Sequence, residues 1–447
     1  MIARLFESWA KGMRMRCDKC SLGLLACFLL GLLTSGGSHA EDWPQWRGPT
    51  RDGVWTETGV VDRFESDRIA LRWRVPLGAG YSGPTVAAGR VFVTDRVAEP
   101  EQIERIHCFN EKDGTTIWTV SYPAVYEIGY KAGPRASVTV DGERAYSLGA
   151  MGHFYCLDAA TGKVHWKQDL NQAYQIQMPI WGIAAAPLIV DDVVILQVGG
   201  ADACMVGLDK MTGKQRWTAL KERASYSSPV LVTQAEQAVI ICWTGDSVSG
   251  IAPSTGEVYW RYEFPPSRMP IGIATPVVHK DEVFVTSFYD GALMLKLGQK
   301  KNEVSKVWRL VGADEQNTRG LHSIISTPVR LGDHLYGVDS YGELRCLDAA
   351  SGQRIWEDQT ATPRSRWSTI HFVRNGKKIW MFNERGELII SELSPQGFKE
   401  ISRASLIAPT LEQLRRRDGV CWAHPAYANR HVFARNDKEL VCGKLAK

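Results

Sequence analysis

Any chemistry in this chain rests on aromatic and basic residues that recur at one kind of position. Tyr81, Arg135, Tyr226, Trp367 and Trp422 each stand directly before a small residue that opens a strand (Ser82, Ala136, Ser227, Ser368 and Ala423). Trp181, His322, Arg364, Arg366 and His424 lie a few residues from other such openings. Rings offer stacking faces and guanidinium groups pair with anions, so gathered at one mouth they could grip a peptide, a glycan or an anionic ligand. The same residues equally suit the packing of Trp-rich loops, and both readings stand. His424, in Trp-Ala-His-Pro, is a lone histidine without metal-ligand spacing, which favours a structural role.

Residues that would serve a metal or a general base are sparse. Asp290 and Asp339 fall in YDGAL and DSYGEL, where a turn explains them. Asp314, Glu315 and Asn317 share a loop and carry oxygen donors suited to calcium, although a solvated loop accounts for them as well. Cys17-Asp-Lys-Cys20 has redox or metal spacing but lies in a segment expected to be removed. Seven cysteines follow residue 40, at 108, 156, 204, 242, 346, 421 and 442, and an odd count leaves at least one thiol free. Cys108, Cys156, Cys346 and Cys442 hold the same place in different repeats, too far apart to bond. They are expected as small buried residues where Gly207 and Gly250 stand elsewhere. No catalytic residue and no metal site are expected from this set.

The elements that position these residues are copies of one stretch, Leu157 to Trp166, LDAATGKVHW. An Asp, a Ser/Thr-Gly pair three and four residues on, and a Trp at Asp+8 recur at Asp158/Trp166, Asp209/Trp217 and Asp348/Trp356. Looser copies run from Asn110 to Trp118 and from Ala252 to Trp260. The short Asp side chain bonds the turn backbone and Gly takes the φ > 0 position, so the pattern predicts a strand, a turn and a Trp-bearing strand. Seven Trp residues of this kind (Trp73, Trp118, Trp166, Trp217, Trp260, Trp308 and Trp356) are spaced 43 to 51 residues apart, with Ile401 in a decayed eighth copy. They are predicted to dock one unit on the next.

Each unit opens at a Ser or Ala (82, 136, 185, 227, 274, 326, 368 and 423), with proline two residues later in six of the eight. Small residues suit a crowded innermost strand near a symmetry axis, and an early Pro costs little there. Period-2 alternation and β-branched enrichment favour strands throughout. The chain ends at LVCGKLAK with only three strands in the eighth unit, whereas strand 71–75 around Trp73 belongs to no unit. That strand is predicted to complete the last blade and close the ring, which removes the free edge of an open β array. The expected fold is all-β, an eight-bladed β-propeller of four-stranded blades over residues 71–447. An irregular arm over 41–70 (DWPQWRGPTRDGVW onward) is held down by Trp43, Trp46 and Trp55. Pro409–Arg417 is predicted as a short helix whose Arg triplet forms a solvated face.

With 447 residues, 44% of them hydrophobic and 23% charged, the chain can bury a large core. The formal charge of +4 comes mostly from residues 1–40, which leaves 48 basic against 47 acidic side chains and no electrostatic reason to expect nucleic acid. Five basic residues, an apolar run over Ser21–Leu33 and Ser38-His39-Ala40 predict a Sec-type signal peptide over 1–40. The protein is therefore expected to be exported, periplasmic or secreted, with no transmembrane segment in the mature chain. Leu24–Cys27 faintly resembles a lipobox, but cleavage there would leave FLLGLL at the mature N-terminus.

The D-x-x-[ST]-G-x-x-x-W turn is similar to the tryptophan-docking motif of quinoprotein (PQQ-dependent) alcohol dehydrogenases and their PQQ-like repeat relatives, over roughly residues 71–447. Those relatives include BamB-like outer-membrane assembly proteins, which lack the cofactor. The resemblance implies, for a dehydrogenase, a vicinal Cys-Cys pair, acidic and Asn ligands for Ca²⁺ and an Asp base. This chain has neither adjacent cysteines nor a CxxCH haem motif. Two functions follow as expectations. The first is a non-catalytic, monomeric scaffold in the cell envelope whose channel mouth (Tyr81, Arg135, Trp181, Tyr226, His322, Arg366, Trp367 and Trp422) binds another envelope protein or peptide. The alternative is a PQQ/Ca²⁺-dependent alcohol or sugar dehydrogenase with a reduced site.

Overall fold

The computed structural model describes residues 41–414 and 418–447, and the expected signal peptide with Cys17 and Cys20 lies outside them. The described residues form eight four-stranded antiparallel sheets, each blade following its neighbour along the chain. This is the eight-bladed propeller that the repeats predict. Blade one runs through Thr85–Ala87, Arg90–Val97, Ile103–Asn110 and Thr116–Pro123, innermost strand first. Blade eight takes Ala426–Ala428, His431–Arg435 and Glu439–Lys444 from the C-terminus, and Leu71–Pro76 as its outer strand. In that closing pair Trp73 stands opposite Cys442 and Val75 opposite Leu440. The innermost strands of blades one and eight touch, so the ring is shut.

The docking geometry explains the repeated motif. Asp158 accepts hydrogen bonds from the backbone of Ala160 and Thr161 and from the Thr161 hydroxyl, which fixes the turn. Gly162 then sits at φ +73°, and a Cβ there would lie 2.7 Å from the ring of Trp118 in the preceding blade. Glycine is required twice, by the backbone and by the incoming indole. The indole N–H of Trp118 donates to Ala159 O at 3.1 Å, and Trp73, Trp166, Trp217 and Trp308 reach the next blade's turn in the same way. Trp356 donates to Ser394 O at 2.9 Å. Trp260 differs: its N–H goes to the Gln234 side chain at 2.8 Å within its own blade. All seven cysteines beyond residue 40 are free and buried, and burial pushes the thiols of Cys108 and Cys442 up to about 12.

The N-terminal arm crosses the central channel. Trp43 bridges Val86, Pro44 O accepts from Val140 N, the Trp46 indole donates to Thr275 Oγ1 at 2.8 Å, and Trp55 N donates to Arg374 O. The buried Arg51 guanidinium donates to Pro229 O at 3.0 Å, to Ala186 O and to Pro187 O. A segment of about a dozen residues thus meets blades one to five and seven at, or just before, their innermost strands. Desolvation without an opposing carboxylate lowers the Arg51 pKa to about 9.

Two sequence expectations need correction. A five-residue helix, Leu170–Tyr174, capped by Asp169, was not anticipated. The helix predicted over 409–417 is absent from its described part, where Thr410 pairs with Val420 instead. Gln413 is buried there and ties three segments, donating to Gly80 O at 2.9 Å and accepting from Trp422 N at 2.7 Å. Those tertiary bonds outweigh a local helix propensity worth roughly a few tenths of a kcal/mol per residue.

Candidate functional site

Where the fourth strand of one blade crosses to the first strand of the next, the chain passes the open end of the channel. These connections carry Tyr81, Arg135, Trp181, Tyr226, Trp367 and Trp422, and all six line one pocket. Its empty volume is about 900 Å³, counted to its open mouth. Trp46 of the arm and His424 also face it, together with Ile273, Ile324 and Ile325. The arm therefore converts an open channel into a cup.

The rings hold one another in tilted and edge-to-face contacts. Trp181 lies 5.1 Å from Tyr226, and Tyr130 contacts Trp181 and Trp367 at 5.7 Å and Trp422 at 5.9 Å. Such spacings are those at which aromatic quadrupoles attract. The Tyr81 hydroxyl donates to Gln413 O, and burial raises its pKa; burial likewise pushes Tyr226 up to about 12. Arg135 lies 4.8 Å over the Tyr81 ring and donates to the carbonyls of Gly129, Tyr130 and Gly133. Among the described residues no carboxylate lines the pocket.

His424 Nδ1 lies 2.6 Å from Pro425 O, which can only accept, so Nδ1 carries the proton and Nε2 presents a lone pair. Among the described residues Nε2 has no hydrogen-bond partner, and neither has Trp422 Nε1–H. The His424 ring is 4.8 Å from that of His371, whose Nε2–H donates to Trp422 O at 2.8 Å. Burial drives His424 well below the ordinary imidazole range, with His371 and Arg47 adding to the effect, and burial takes His371 down to about 4.

These imidazoles predict an acid-sensitive fold. They stay neutral when folded but take protons near 6.5 once the chain unfolds, so the unfolded state gains protons first as pH falls. Stability should drop by roughly 1 kcal/mol per pH unit for each group, starting near pH 6.5 and ending, for His371, near its folded value of about 4. Denaturant midpoints of the chain and of His371→Gln measure this, the variant having the shallower slope. Equal slopes would mean that His371 is protonated in the fold.

Two other residues expected at the mouth are placed elsewhere. His322 is buried beside Asp339, which accepts from its backbone N–H, while its Nδ1 faces Phe288 O and its Nε2 accepts from Gly312 N. Arg366 stands beside the pocket but pairs with Glu315 at 2.8 Å and lies 4.5 Å over the Trp367 ring. Arg364 pairs with Glu343. Sequence reasoning misses Trp46, Tyr130 and the isoleucines. Trp46 belongs to an arm without periodicity and Tyr130 to a long connection, so no local pattern marks either.

The candidate acids are already engaged by this chain. Asp290 accepts from Ser267 N and Ser287 Oγ. Asp339 binds Thr318, His322 N and Arg345. Asp314 caps its own turn through Gln316 N and Asn317 N, and Glu315 accepts from Tyr341. Among the described residues no group of three or more His, Cys, Asp or Glu side chains is arranged to hold a metal.

A family model described as outer membrane protein assembly factor BamB matches residues 102–358 and 273–394. The BamB of Burkholderia pseudomallei is 21% identical over 323 residues, covering 67% of this chain and 78% of that protein. The BamB of Moranella endobia is 21% identical over 383 residues, covering 79% and 87%. Among solved structures, BamB from Moraxella catarrhalis matches with a TM-score of 0.56 at 16% identity, over 84% of this chain and 99% of that one. A europium-containing methanol dehydrogenase matches with a TM-score of 0.62 at 12% identity, over 88% and 89%. Structural likeness at such identities shows the fold alone.

Proposed function

The chain belongs to the family of outer membrane protein assembly factor BamB, and from that premise we propose that it is an exported, non-catalytic assembly factor of the cell envelope. It acts by holding another envelope protein at the aromatic mouth of its propeller. The observation that carries this reading is the pocket itself: aromatic and aliphatic walls, one guanidinium, and no carboxylate or thiol positioned for chemistry. Aromatic residues and Arg are the types that dominate binding hot spots. Residues 1–40, read as a signal peptide, would bring the chain to the compartment where such a partner is found.

The quinoprotein alternative draws on the fold shared with a methanol dehydrogenase. The residues present do not fit its cofactor. Calcium takes about six to eight oxygen ligands, whereas the pocket offers no carboxylate. PQQ carries several carboxylates, and among the described residues Arg135 is the one guanidinium that faces them, the buried His424 being neutral. Purified protein that gains alcohol or sugar oxidation from PQQ and Ca²⁺ would overturn the scaffold reading.

The direct test is genetic. Loss of the protein should lower the amount of outer-membrane protein in its own cells, and wild-type levels after its removal would reject the role. In the same cells, the double variant Arg366→Ala/Trp367→Ala should restore those levels about tenfold less effectively than the wild type, the loss expected for truncating one hot spot. Trp367 is half-buried at φ +69°, so the abundance and melting of the variant are measured alongside. Full restoration by a stably folded double variant would remove the mouth from the binding face.

A further inference from the structure

We propose that the pocket receives a tyrosine side chain flanked by acidic residues on a loop of the partner protein, and that Tyr130 of this chain holds the place meanwhile. Such an occupant presupposes that the mouth is the binding face, and specifies what enters it. Tyr130 is the guide. Its ring stands among Trp181, Trp367 and Trp422, which approach blades three, seven and eight, so one phenol ring from one connection sits within a cage built by three others. The chain thereby displays a side chain that the cage accepts.

That placeholder is held without a strand ladder. No strand lies between Pro123 and Thr139, and Tyr130 itself has φ +55°, a left-handed conformation that costs a residue with a Cβ about 1 kcal/mol or more. An incoming ring competes with a strained contact rather than a relaxed one.

The pocket is also chemically incomplete. Trp422 Nε1–H is a donor without an acceptor and His424 Nε2 an acceptor without a donor, on side chains only 8% and 5% exposed. Buried polar atoms left in that state are costly. A hydroxyl is donor and acceptor at once, so a single phenol could serve both, whereas Phe or Leu could serve neither. Cationic guests, which aromatic cages otherwise favour, meet Arg135 and no carboxylate. Arg135, which makes no ion pair among the described residues, instead complements an acidic flank.

The test uses the purified chain, its Tyr130→Gly variant, and three blocked tripeptides: acetyl-Asp-Tyr-Glu-amide, acetyl-Lys-Tyr-Lys-amide and acetyl-Asp-Ala-Glu-amide. Glycine relieves the left-handed position while vacating the cage, and a melting curve verifies that the variant is folded. Calorimetry should show the acidic tyrosine peptide binding Tyr130→Gly about tenfold tighter than the wild type, because the intramolecular competitor is gone. The alanine and lysine peptides should bind that variant at least about tenfold more weakly. Adding Arg135→Gln should erase the preference for acidic flanks and keep that for tyrosine over alanine. Equal affinity of wild type and Tyr130→Gly, or of the tyrosine and alanine peptides, overturns the proposal. So does equal affinity of the acidic and lysine peptides. If the peptides fail while Arg366→Ala/Trp367→Ala still impairs assembly in cells, the occupant is wrong and the binding face stands.

Discussion

Deletion of residues 41–78 is expected to abolish the fold. The cut removes Leu71–Pro76, the outer strand of blade eight, and leaves Glu439–Lys444 as an unpaired edge. It also removes Trp73, whose indole joins blade eight to the Glu111 carbonyl of blade one at 2.8 Å. Trp43 and Trp55, both fully buried, leave with the arm. Emptying one buried aromatic site costs about 3–5 kcal/mol, and a folded protein has only about 5–15 kcal/mol to lose. Three such sites and a ring closure together exceed that margin. Size-exclusion and circular dichroism of the truncated chain should show aggregated or unfolded material, since an open edge is a template for further pairing. A monomeric variant melting with the full chain would mean that the ring closes without this segment.

How far the sequence discloses this architecture depends on whether an interaction leaves a local trace. Asp158, Thr161 and Gly162 lie within five residues and serve one turn, so their spacing announces the turn and, through the glycine, the neighbouring indole. Trp260 shows the limit. The next blade's turn, Gly298 to Glu303, lacks the Asp-x-x-Ser/Thr-Gly pattern, and the Trp260 indole N–H finds Gln234 instead. Nothing near Trp260 in the sequence signals that choice. The arm is legible as aromatic and ordered, but its course is not: Arg51 reaches carbonyls at Ala186 and Pro229, more than 130 residues away. Pro409 to Arg417 misled for the reverse reason, a local helix pattern overridden by Gln413 binding Gly80 and Trp422.

The pocket divides in the same way. Tyr81, Arg135, Tyr226, Trp367 and Trp422 are recoverable because each precedes a small strand-opening residue, and symmetry carries equivalent positions to one mouth. His322 lies four residues before the Ser326 opening and is drawn into the Asp339 network, and Arg366 is taken up by Glu315. Residue type and position therefore locate the mouth, while burial and partners decide which side chains face a ligand. The floor, Trp46 with His424, is a tertiary product of the arm and the last blade.

The second large effect is expected at a docking tryptophan. Trp217 is 5% exposed, its N–H donates to Pro253 O at 2.9 Å, and its ring lies against Gly256 of the next blade. Trp217→Ala should cost about 3–5 kcal/mol in denaturant unfolding, the transfer of a large ring plus the cavity that two blades cannot collapse to fill. Trp217→Phe keeps most of the area and strands the Pro253 carbonyl, which isolates the hydrogen bond at about 1 kcal/mol. Trp166, half-buried with its N–H 3.2 Å from Lys210 O, should lose less on the same truncation. Gly256→Ala attacks the contact from the opposite side, since φ is +75° and the added Cβ would lie 2.7 Å from the Trp217 ring. If the motif is a joint between blades, both Trp217→Ala and Gly256→Ala destabilise. Their double variant should then lose less than the sum of the singles, because the space vacated by the indole accommodates the new methyl. Strict additivity, or a loss below about 1 kcal/mol for Trp217→Ala, would mean that the indole is no joint and that the blades are held by strand pairing and their own cores.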